Sequence, residues 1–502
     1  MSNRTPHLSL CMIVKNEEET LDQTIQSVKT IADEIIIVDT GSSDKTLEIA
    51  KKYASLVIQI PWKDNFAEAR NISLEEASGK WILVLDADEI LLQDDIDKIK
   101  RIIDQEQHLE GLFLQIINYR EQLFSNDEES FPSLRLFKNN PSYRFSGAIH
   151  EQIASSIPFD KLAVTDIRII HHGLNNTAKN LERGNRNLHI LKKEIAKEPE
   201  NHFHKFNLGV EYMVNKEYKK AVNQFEQIKD PDLNKPMWLS RYYKTFAYCY
   251  IKEKEWGKAK NLIEKGVKQF PDFPDLYYLQ AMGLIAQEKY REALFPLYTC
   301  LSIGETANPV YISEKGMGSY KAYFILGSIY EALGEIKKAV ISYQNALQFN
   351  FNHIQAGSRL LKILLQDEPV DKVIHFLNAI YDDSNPKHLL IIAKIFFEAK
   401  EFTVCMKYAK KVLDKVADKD PVYHLLGLCS FVKDKKTAMN RYFSNIKDKD
   451  TYKVTHLDLL LLSVKNQVDN LQEIENKFHG AKFFIEERER LEHIIRLYEM
   501  DD

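Results

Sequence analysis

The sequence predicts an α/β domain of nucleotide-binding type, built on a mostly parallel sheet, followed by an all-α solenoid of helix–turn–helix repeats. Three observations carry this reading. From residue 8 to about residue 114, short β-rich runs alternate with amphipathic stretches. After about residue 200 the strand-like runs vanish and a pattern near 34 residues recurs, the period of a helical-pair solenoid. The chain has 502 residues, 44% of them hydrophobic, which is more than one core holds and fits roughly two to four domains of about 150 residues each.

In the first third, LSLCMIV (8–14), EIIIV (34–38), LVIQI (56–60), WILVL (81–85) and LFLQII (112–117) are apolar runs bounded by polar residues and read as buried strands. Between them, residues 17–30, 44–53, 66–78 and 94–107 carry helical spacing, with Ser43 or Asp44 as the N-cap of the second helix. Strand–helix–strand alternation covers both faces of a sheet and places ligands at the carboxyl ends of the strands. Residues 180–198, with Leu181, Leu188, Leu191 and Ile195, read as a helix joining the two modules.

The repeats align on small and aromatic positions. Leu208-Gly209, Tyr212, Ala221 and Phe225 have counterparts in Phe246-Ala247, Tyr250, Ala259 and Ile263, then in Gln280-Ala281, Leu284, Ala293 and Leu297. The fullest copy is Leu326-Gly327, Tyr330, Ala339, Tyr343 and Ala346. Repeats therefore start near His202, Ser240, Pro274 and Tyr320, with weaker copies near Ile354, Pro386 and Asp420. The 46-residue step before Tyr320 is one period plus a 12-residue insertion at 308–319, whose Gly316 and Gly318 suggest a loop. A small residue lets the two helices of a pair approach, and an aromatic fills the gap to the next pair. Most of the 24 Tyr and 26 Phe are then core.

Composition narrows the function. A net charge of −5, from 68 basic and 73 acidic residues, provides no global basic field and argues against nucleic acid as a partner. The longest apolar stretches fall far short of the roughly 18 residues a membrane span needs, and no secretion signal is read at the amino terminus. Five scattered cysteines, odd in number and without a CxxC pair, fit a reducing compartment, so the expected location is cytoplasmic.

The sharpest chemical signal is Asp86-Ala87-Asp88 directly after the WILVL run. Two hard oxygen donors at the carboxyl end of a strand suit a divalent ion held against phosphates, although a solvated turn also favours Asp there. Asp39-Thr40-Gly41-Ser42-Ser43-Asp44 follows the EIIIV run and opens a helix, offering Asp39 as acceptor for a base or ribose. Arg70, in Phe66-Ala67-Glu68-Ala69-Arg70-Asn71, is a cation available to a diphosphate.

These segments, LSLCMIVKNEEETLDQTIQSV, DEIIIVDTGSSDKT, FAEARN and GKWILVLDADE, stand in an order and spacing that resemble the family-2 glycosyltransferases of the GT-A fold, over about residues 7–175. The helical half resembles tetratricopeptide repeats. Arg135-Leu136-Phe137, Phe145-Ser146-Gly147-Ala148-Ile149-His150-Glu151 and His171-His172-Gly173 extend the likeness to glycosyltransferases with tetratricopeptide repeats, a group that includes bacterial enzymes glycosylating the cysteine of glycocin peptides. The expected layout is a GT-A domain at 1–175, a connecting helix at 176–201, repeats at 202–450 and a helical cap at 451–502.

The resemblance implies an inverting, metal-dependent transfer from a UDP-sugar to a peptide, protein or glycan. Asp39 would contact uridine, Asp86 the ribose or metal-bound water, and Asp88 the Mn²⁺ or Mg²⁺ that bridges the diphosphate. Inversion needs a base on the acceptor side. Glu151 is the candidate, with His150 as alternate base or acceptor contact, and a structural His-Glu ion pair is the competing reading. His171 and His172 are candidates for the metal shell, because imidazole suits Mn²⁺; His171 fits the family's His-x-Gly pattern better. The repeats would bind the acceptor or make a homo-oligomer. A catalytically inactive scaffold acting through its repeats is the alternative. A nucleotidyltransferase ranks lower, because Lys15-Asn16-Glu17-Glu18-Glu19 stands where a Gly-rich phosphate loop would follow the first strand.

Overall fold

The computed structural model describes residues 7–105, 108–121, 126–153, 156–171, 177–229, 236–306, 311, 313–413, 415–416, 418–433 and 436–447. The expected cap at 451–502 lies outside them. Twelve elements build the sheet layer: β1 (Leu8–Val14), α1 (Leu21–Val28), β2 (Glu34–Asp39), α2 (Thr46–Tyr53), β3 (Leu56–Gln59), α3 (Phe66–Glu75), β4 (Trp81–Val84), β5 (Glu89–Leu91), α4 (Ile96–Gln105), β6 (Gly111–Glu121), β7 (Asn126–Lys138) and β8 (Leu162–His171). The strands form one eight-stranded sheet in the order β3-β2-β1-β4-β7-β6-β8-β5.

The four strands β3, β2, β1 and β4 are mutually parallel, and β6 pairs parallel with β8; β7 runs antiparallel to β4 and β6, and β5 antiparallel to β8. Alternation along β1 sorts its side chains. Leu8, Leu10, Met12 and Val14 join Leu21, Ile25 and Val28 of α1 and Ile96 and Ile99 of α4 on one face, all buried. Cys11 points to the other face with Ile36, Ile82, Val84 and Leu74 of α3. Burying each large aliphatic side chain contributes about 1.5–3 kcal/mol, which is why strands covered on both faces read as unbroken apolar runs.

Two boundaries differ from the sequence reading for identifiable reasons. Helix α1 starts at Leu21, not residue 17, because Asn16 is left-handed (φ 55) and its side chain accepts a hydrogen bond from Ser43 N at 2.8 Å. Helix α2 has Lys45 at its N-cap, not Ser43 or Asp44. The Asp44 carboxylate still serves that turn, accepting from Thr46 N (2.9 Å) and from Glu18 N (3.2 Å), which latches the loops after β1 and β2 together.

Among the described residues, the sheet is followed by α5 (Thr177–Lys197) and by fourteen helices, two to a repeat in chain order: α6 (His202–Val214) and α7 (Tyr218–Phe225), α8 (Pro236–Lys252) and α9 (Trp256–Gln269), α10 (Pro274–Ile285) and α11 (Tyr290–Ile303), α12 (Tyr320–Ala332) and α13 (Ile336–Phe349), α14 (Ile354–Asp367) and α15 (Val370–Asn378), α16 (Pro386–Glu398) and α17 (Phe402–Leu413), and α18 (Asp420–Val432) and α19 (Lys436–Phe443). Six of the seven first helices begin at the residue the phase marks indicated; α8 begins four residues before Ser240. In the inserted segment Gly316 is left-handed (φ 95), and its N–H donates to the Glu305 carboxylate at 3.0 Å.

The small residue at the repeat's fixed position works as expected. Gly209, Gly327 and Gly427 each lie against an aromatic ring from the second helix of their own pair, Phe225, Tyr343 and Phe443, with no room for a Cβ. Phe225 also meets Tyr242 and Phe246 of the following pair, at ring-centroid distances of 6.2 and 5.2 Å.

Two compact units result. The first holds the sheet layer, α5 and the helices up to Lys289, with Ser302–Gly318; the second holds Tyr290–Leu301 and the described residues from 319 onward. The change of character near residues 175–201 therefore falls inside the first unit. Ala148 and Ile149, from the segment between β7 and β8, bury with Ile190 and Leu191 of α5 and Leu208 of α6, so the sheet layer and the first repeat share a cluster.

Gly327→Ala should force a Cβ into the Tyr343 ring and destabilise the second unit by about 1–3 kcal/mol, whereas Gly257→Ala, with open space around it, should stay within about 0.5 kcal/mol; denaturant unfolding of both variants checks the contrast. The buried Asp95 carboxylate accepts from Arg168 Nε (2.8 Å) and backbone N (3.0 Å), and Lys98 lies 2.9 Å away. Burial alone would raise its pKa, but the Arg168 and Lys98 contacts outweigh that and bring it to about 2. A depressed carboxylate stabilises fully above its unfolded pKa and loses that as pH falls through the folded one. Asp95→Asn should therefore cost about 1–2 kcal/mol at pH 7, allowing for solvent screening of the partly exposed Arg168, and the difference should close between pH 4 and pH 2 in thermal unfolding.

Candidate active site

The parallel pairing β2-β1-β4 brings three loop starts to one edge of the sheet. Asp39 is the last residue of β2, opposite Val14 of β1, and Asp86 lies two residues past the end of β4. This is the crevice where parallel sheets take their ligands. Asp39 is fully buried; its Oδ1 accepts from Ser42 N (3.1 Å) and Ser42 Oγ (2.5 Å), and Oδ2 accepts from Gln59 Nε2 (3.4 Å). Gly41, at φ 102, makes the turn that returns Ser42 to that carboxylate.

Asn65 and the FAEARN segment after it have two structural jobs. Asn65 caps α3 by accepting from Glu68 N at 3.0 Å. Asn71 exchanges two hydrogen bonds with the backbone of Phe145 (3.0 and 2.9 Å), and Phe66 N donates to Ala148 O (2.8 Å), so α3 grips the segment that carries His150 and Glu151. That segment closes on itself through reciprocal Ser146–Gln152 backbone bonds of 3.0 Å, with Gly147 at φ 98 and His150 at φ 51.

Arg70 lies between the two acidic motifs. Its Nη2 donates to Asp86 Oδ1 and its Nε to Glu151 Oε1, both at 2.6 Å. From β7, Arg135 Nη2 reaches Asp86 Oδ2 (3.1 Å) and Glu89 Oε1 (2.5 Å), while Glu89 Oε2 accepts from Asp86 N (2.9 Å). Asp86 is thereby engaged by both guanidiniums; burial would raise its pKa, but Arg70 and Arg135 hold it well below the usual range. Glu89, more deeply buried and beside Asp86, is pushed up to about 7 despite Arg135. Arg70 Nη1 and Arg135 Nε are buried donors without a hydrogen-bond partner.

Asp88 faces a different set. The antiparallel pairing of β5 with β8 places Glu89 opposite His171, so His171 Nε2 comes within 3.3 Å of Asp88 Oδ2. Its Nδ1 lies 2.7 Å from Asn118 Oδ1 of β6, which orients the ring. Burial acts upward on Asp88 and downward on His171, but their mutual contact prevails, lowering the carboxylate and raising the imidazole. Arg183 Nη2 of α5 also approaches Asp88 Oδ2, at 3.5 Å.

A carboxylate and an imidazole held face to face, with the imidazole braced from behind, fit a divalent ion as donor set. Among the described residues no three His, Cys, Asp or Glu side chains converge as a ligand group. Asp86 is turned to arginines and His172 lies outside the described residues, so Asp88 and His171 are the protein donors the geometry offers.

The sheet thus gathers Asp39, Arg70, Asp86, Asp88, Glu151 and His171 along its carboxyl edge, and His150 turns away from them. Its Nε2 is 4.0 Å from Glu211 Oε1 of α6, and burial lowers its pKa to about 4. Arg135, Glu89, Asn118 and Arg183 had no assigned role in the sequence reading. Arg135 was within reach, because Arg135-Leu136-Phe137 stood among the quoted motifs and a cation opposite a DxD strand is a natural counter-ion. Asn118 and Arg183 had no local signal.

Removing Arg135 leaves the buried Glu89 without its guanidinium partner, so Arg135→Met should cost about 3–5 kcal/mol. Adding Glu89→Gln to that variant should recover part of the loss. A double-mutant cycle by chemical denaturation measures the coupling.

Residues 9–182 match the family model described as glycosyl transferase family 2. A TPR repeat-containing protein of Synechococcus elongatus is 38% identical over 150 residues, which are 30% of this chain and 36% of the relative. The glycosyltransferase SunS of Bacillus phage SPbeta is 27% identical over 245 residues, 45% of this chain and 56% of the relative. An uncharacterized glycosyltransferase of Rickettsia typhi is 33% identical over 162 residues, 31% of this chain and 53% of the relative. The chain thus spans between about a third and just over half the length of these curated relatives. Residues 9–182, with the Asp86-Ala87-Asp88 motif at the carboxyl edge of a mixed sheet, are thus similar to the family 2 glycosyl transferases, and a helical-repeat region follows them.

Proposed function

We propose that the chain is an inverting, metal-dependent glycosyltransferase that moves a sugar from a UDP-sugar to a polypeptide or glycan acceptor. The observation that supports it most is the Asp88–His171 pair beside an Asp86 that two arginines neutralise, on the same sheet edge as Asp39. Asp39, with its carboxylate already oriented by Ser42, accepts from the uracil or ribose. Arg70 keeps Asp86 ionised and has one buried N–H left for a donor oxygen. Asp88 and His171 hold Mn²⁺ or Mg²⁺, which when bound offsets the charge that develops on the leaving diphosphate.

On the acceptor side Glu151 takes the proton. As the acceptor oxygen or sulfur bonds to the anomeric carbon, the bond from that carbon to the phosphate oxygen breaks and UDP leaves with the electron pair. His150 is the weaker candidate, because an imidazole with a pKa near 4 is a poor proton acceptor at neutral pH. His150 then acts as an acceptor contact. The repeats bind the acceptor or a second copy of the chain. All five cysteines are buried and none is assigned to a disulfide, which supports a reducing, cytoplasmic setting. No helix among the described residues is long and apolar enough to cross a membrane.

UDP release from a panel of UDP-sugars with Mn²⁺, with and without cell extract, tests the reading, and mass spectrometry of the labelled product identifies the acceptor. Asp88→Ala is expected to abolish metal-dependent UDP binding. Glu151→Gln should keep that binding and lose transfer by about 10²–10⁴-fold. Transfer at the original rate by Glu151→Gln would move the base elsewhere. A wild-type chain with neither turnover nor metal-dependent UDP binding would leave the inactive-scaffold reading standing.

A further inference from the structure

Helix α5 carries two arginines, Arg183 and Arg186, three positions apart and so on one face. Arg183 Nη2 stands 3.5 Å from Asp88 Oδ2, beside the imidazole of His171. Arg186 lies over the Phe66 ring, with its guanidinium carbon 4.9 Å from the centroid. Its Nε is buried without a hydrogen-bond partner, and its Nη2 has only a long 3.5 Å bond to Asn187. Burial and the neighbouring Arg183 both act against its charge, while Glu211, Glu151 and Asp64 act for it. Two adjacent guanidiniums, one with an unused buried donor, next to a carboxylate proposed to hold a metal, form an incomplete site that an anion with several oxygens would complete.

We infer that Arg183 and Arg186 clamp the diphosphate of the donor, and that Arg183 is the counter-ion of Asp88 when no donor is bound, exchanging Asp88 for phosphate oxygens when the metal and donor arrive. This rests on the UDP-sugar reading above and adds the residues that grip the phosphates. Arg70 approaches the same edge from α3, so the proposed grip draws on α3 as well as α5. The helix is set in position by the first repeat: Asn187 Nδ2 donates to Glu211 Oε1 of α6 at 2.9 Å, and Ile190 and Leu191 bury against Leu208. The grip on the phosphates therefore depends on repeat residues as well as on the glycosyl transferase domain.

The test uses the full chain. UDP and UMP are titrated calorimetrically in the presence of Mn²⁺ into the wild type, Arg183→Met and Arg186→Met, with Arg183→Lys and Arg186→Lys as charge-retaining partners in case a Met variant does not fold. Each Met variant is expected to bind UDP about tenfold more weakly and to lose less affinity for UMP, so that the preference for UDP over UMP shrinks; the Lys variants should fall between. An unchanged preference in the folded variants overturns the clamp. Binding of Mn²⁺ alone, followed by electron paramagnetic resonance, should tighten several-fold in Arg183→Met, because a competing cation has left Asp88. Unchanged or weaker Mn²⁺ binding overturns the exchange. A wild type that binds neither UDP nor Mn²⁺ removes the donor reading itself, an outcome distinct from variants that match a binding wild type.

Discussion

Placing a half-buried Asp86 and a buried Glu89 three residues apart, just past the end of β4, is tolerable only because two guanidiniums are held against them. A lone carboxylate moved out of water loses several kcal/mol of solvation, and two of them also repel. Arg135 reaches them from β7 and Arg70 from α3, and Arg70 extends the network to Glu151. This set ties the Asp86-Ala87-Asp88 turn, the segment between β7 and β8, and two elements of the sheet layer into one electrostatic unit. It also fixes a division of labour: Asp86 faces arginines, and Asp88, two residues on, is free to face His171 and Arg183.

Around that unit the backbone is held by uncharged contacts. Thr24 Oγ1 of α1 donates to Ala87 O (2.8 Å), and Leu91 N donates to Ser27 Oγ (3.2 Å), so the DxD turn is held from the helix beneath it. Asn71 does the same for the segment carrying Glu151. The left-handed backbone at His150 (φ 51) persists there because bonds on both sides over-determine the turn. A positioned site needs such support, since a shift of about 1 Å in a reacting group can cost a hundredfold in rate.

Much of this was legible in the sequence. Apolar runs gave β1, β2, β3 and β4 to within a residue and residues 112–117 of the longer β6, and the Gly-to-aromatic phase located the starts of six first helices. The strands β5, β7 and β8 were not read as such. β5 has three residues, too few for periodicity, and β7 contains Asp127, Glu128, Glu129 and Pro132, which depress strand propensity and are tolerated only because the pairing with β6 is tertiary. Asp39, Asp86 and Asp88 were visible because they follow apolar runs. Three partners that give Asp86 and Asp88 different roles, Arg135, His171 and Arg183, come from 49 to 95 residues away in sequence, and no local pattern encodes a meeting of that kind.

The glycine-to-ring contacts of the repeats have an evolutionary corollary. Gly209 with Phe225, Gly327 with Tyr343 and Gly427 with Phe443 each fasten a pair from within. At Gly357 the close contact falls instead on Ile395 of α16, in the next pair. Where the fastening is internal, a gene duplication or deletion of one whole pair leaves the closures of the remaining pairs intact; at Gly357 it would not. Length variation in this array should therefore accumulate unevenly, at junctions such as those flanking α12–α13, and be resisted where α14 leans on α16.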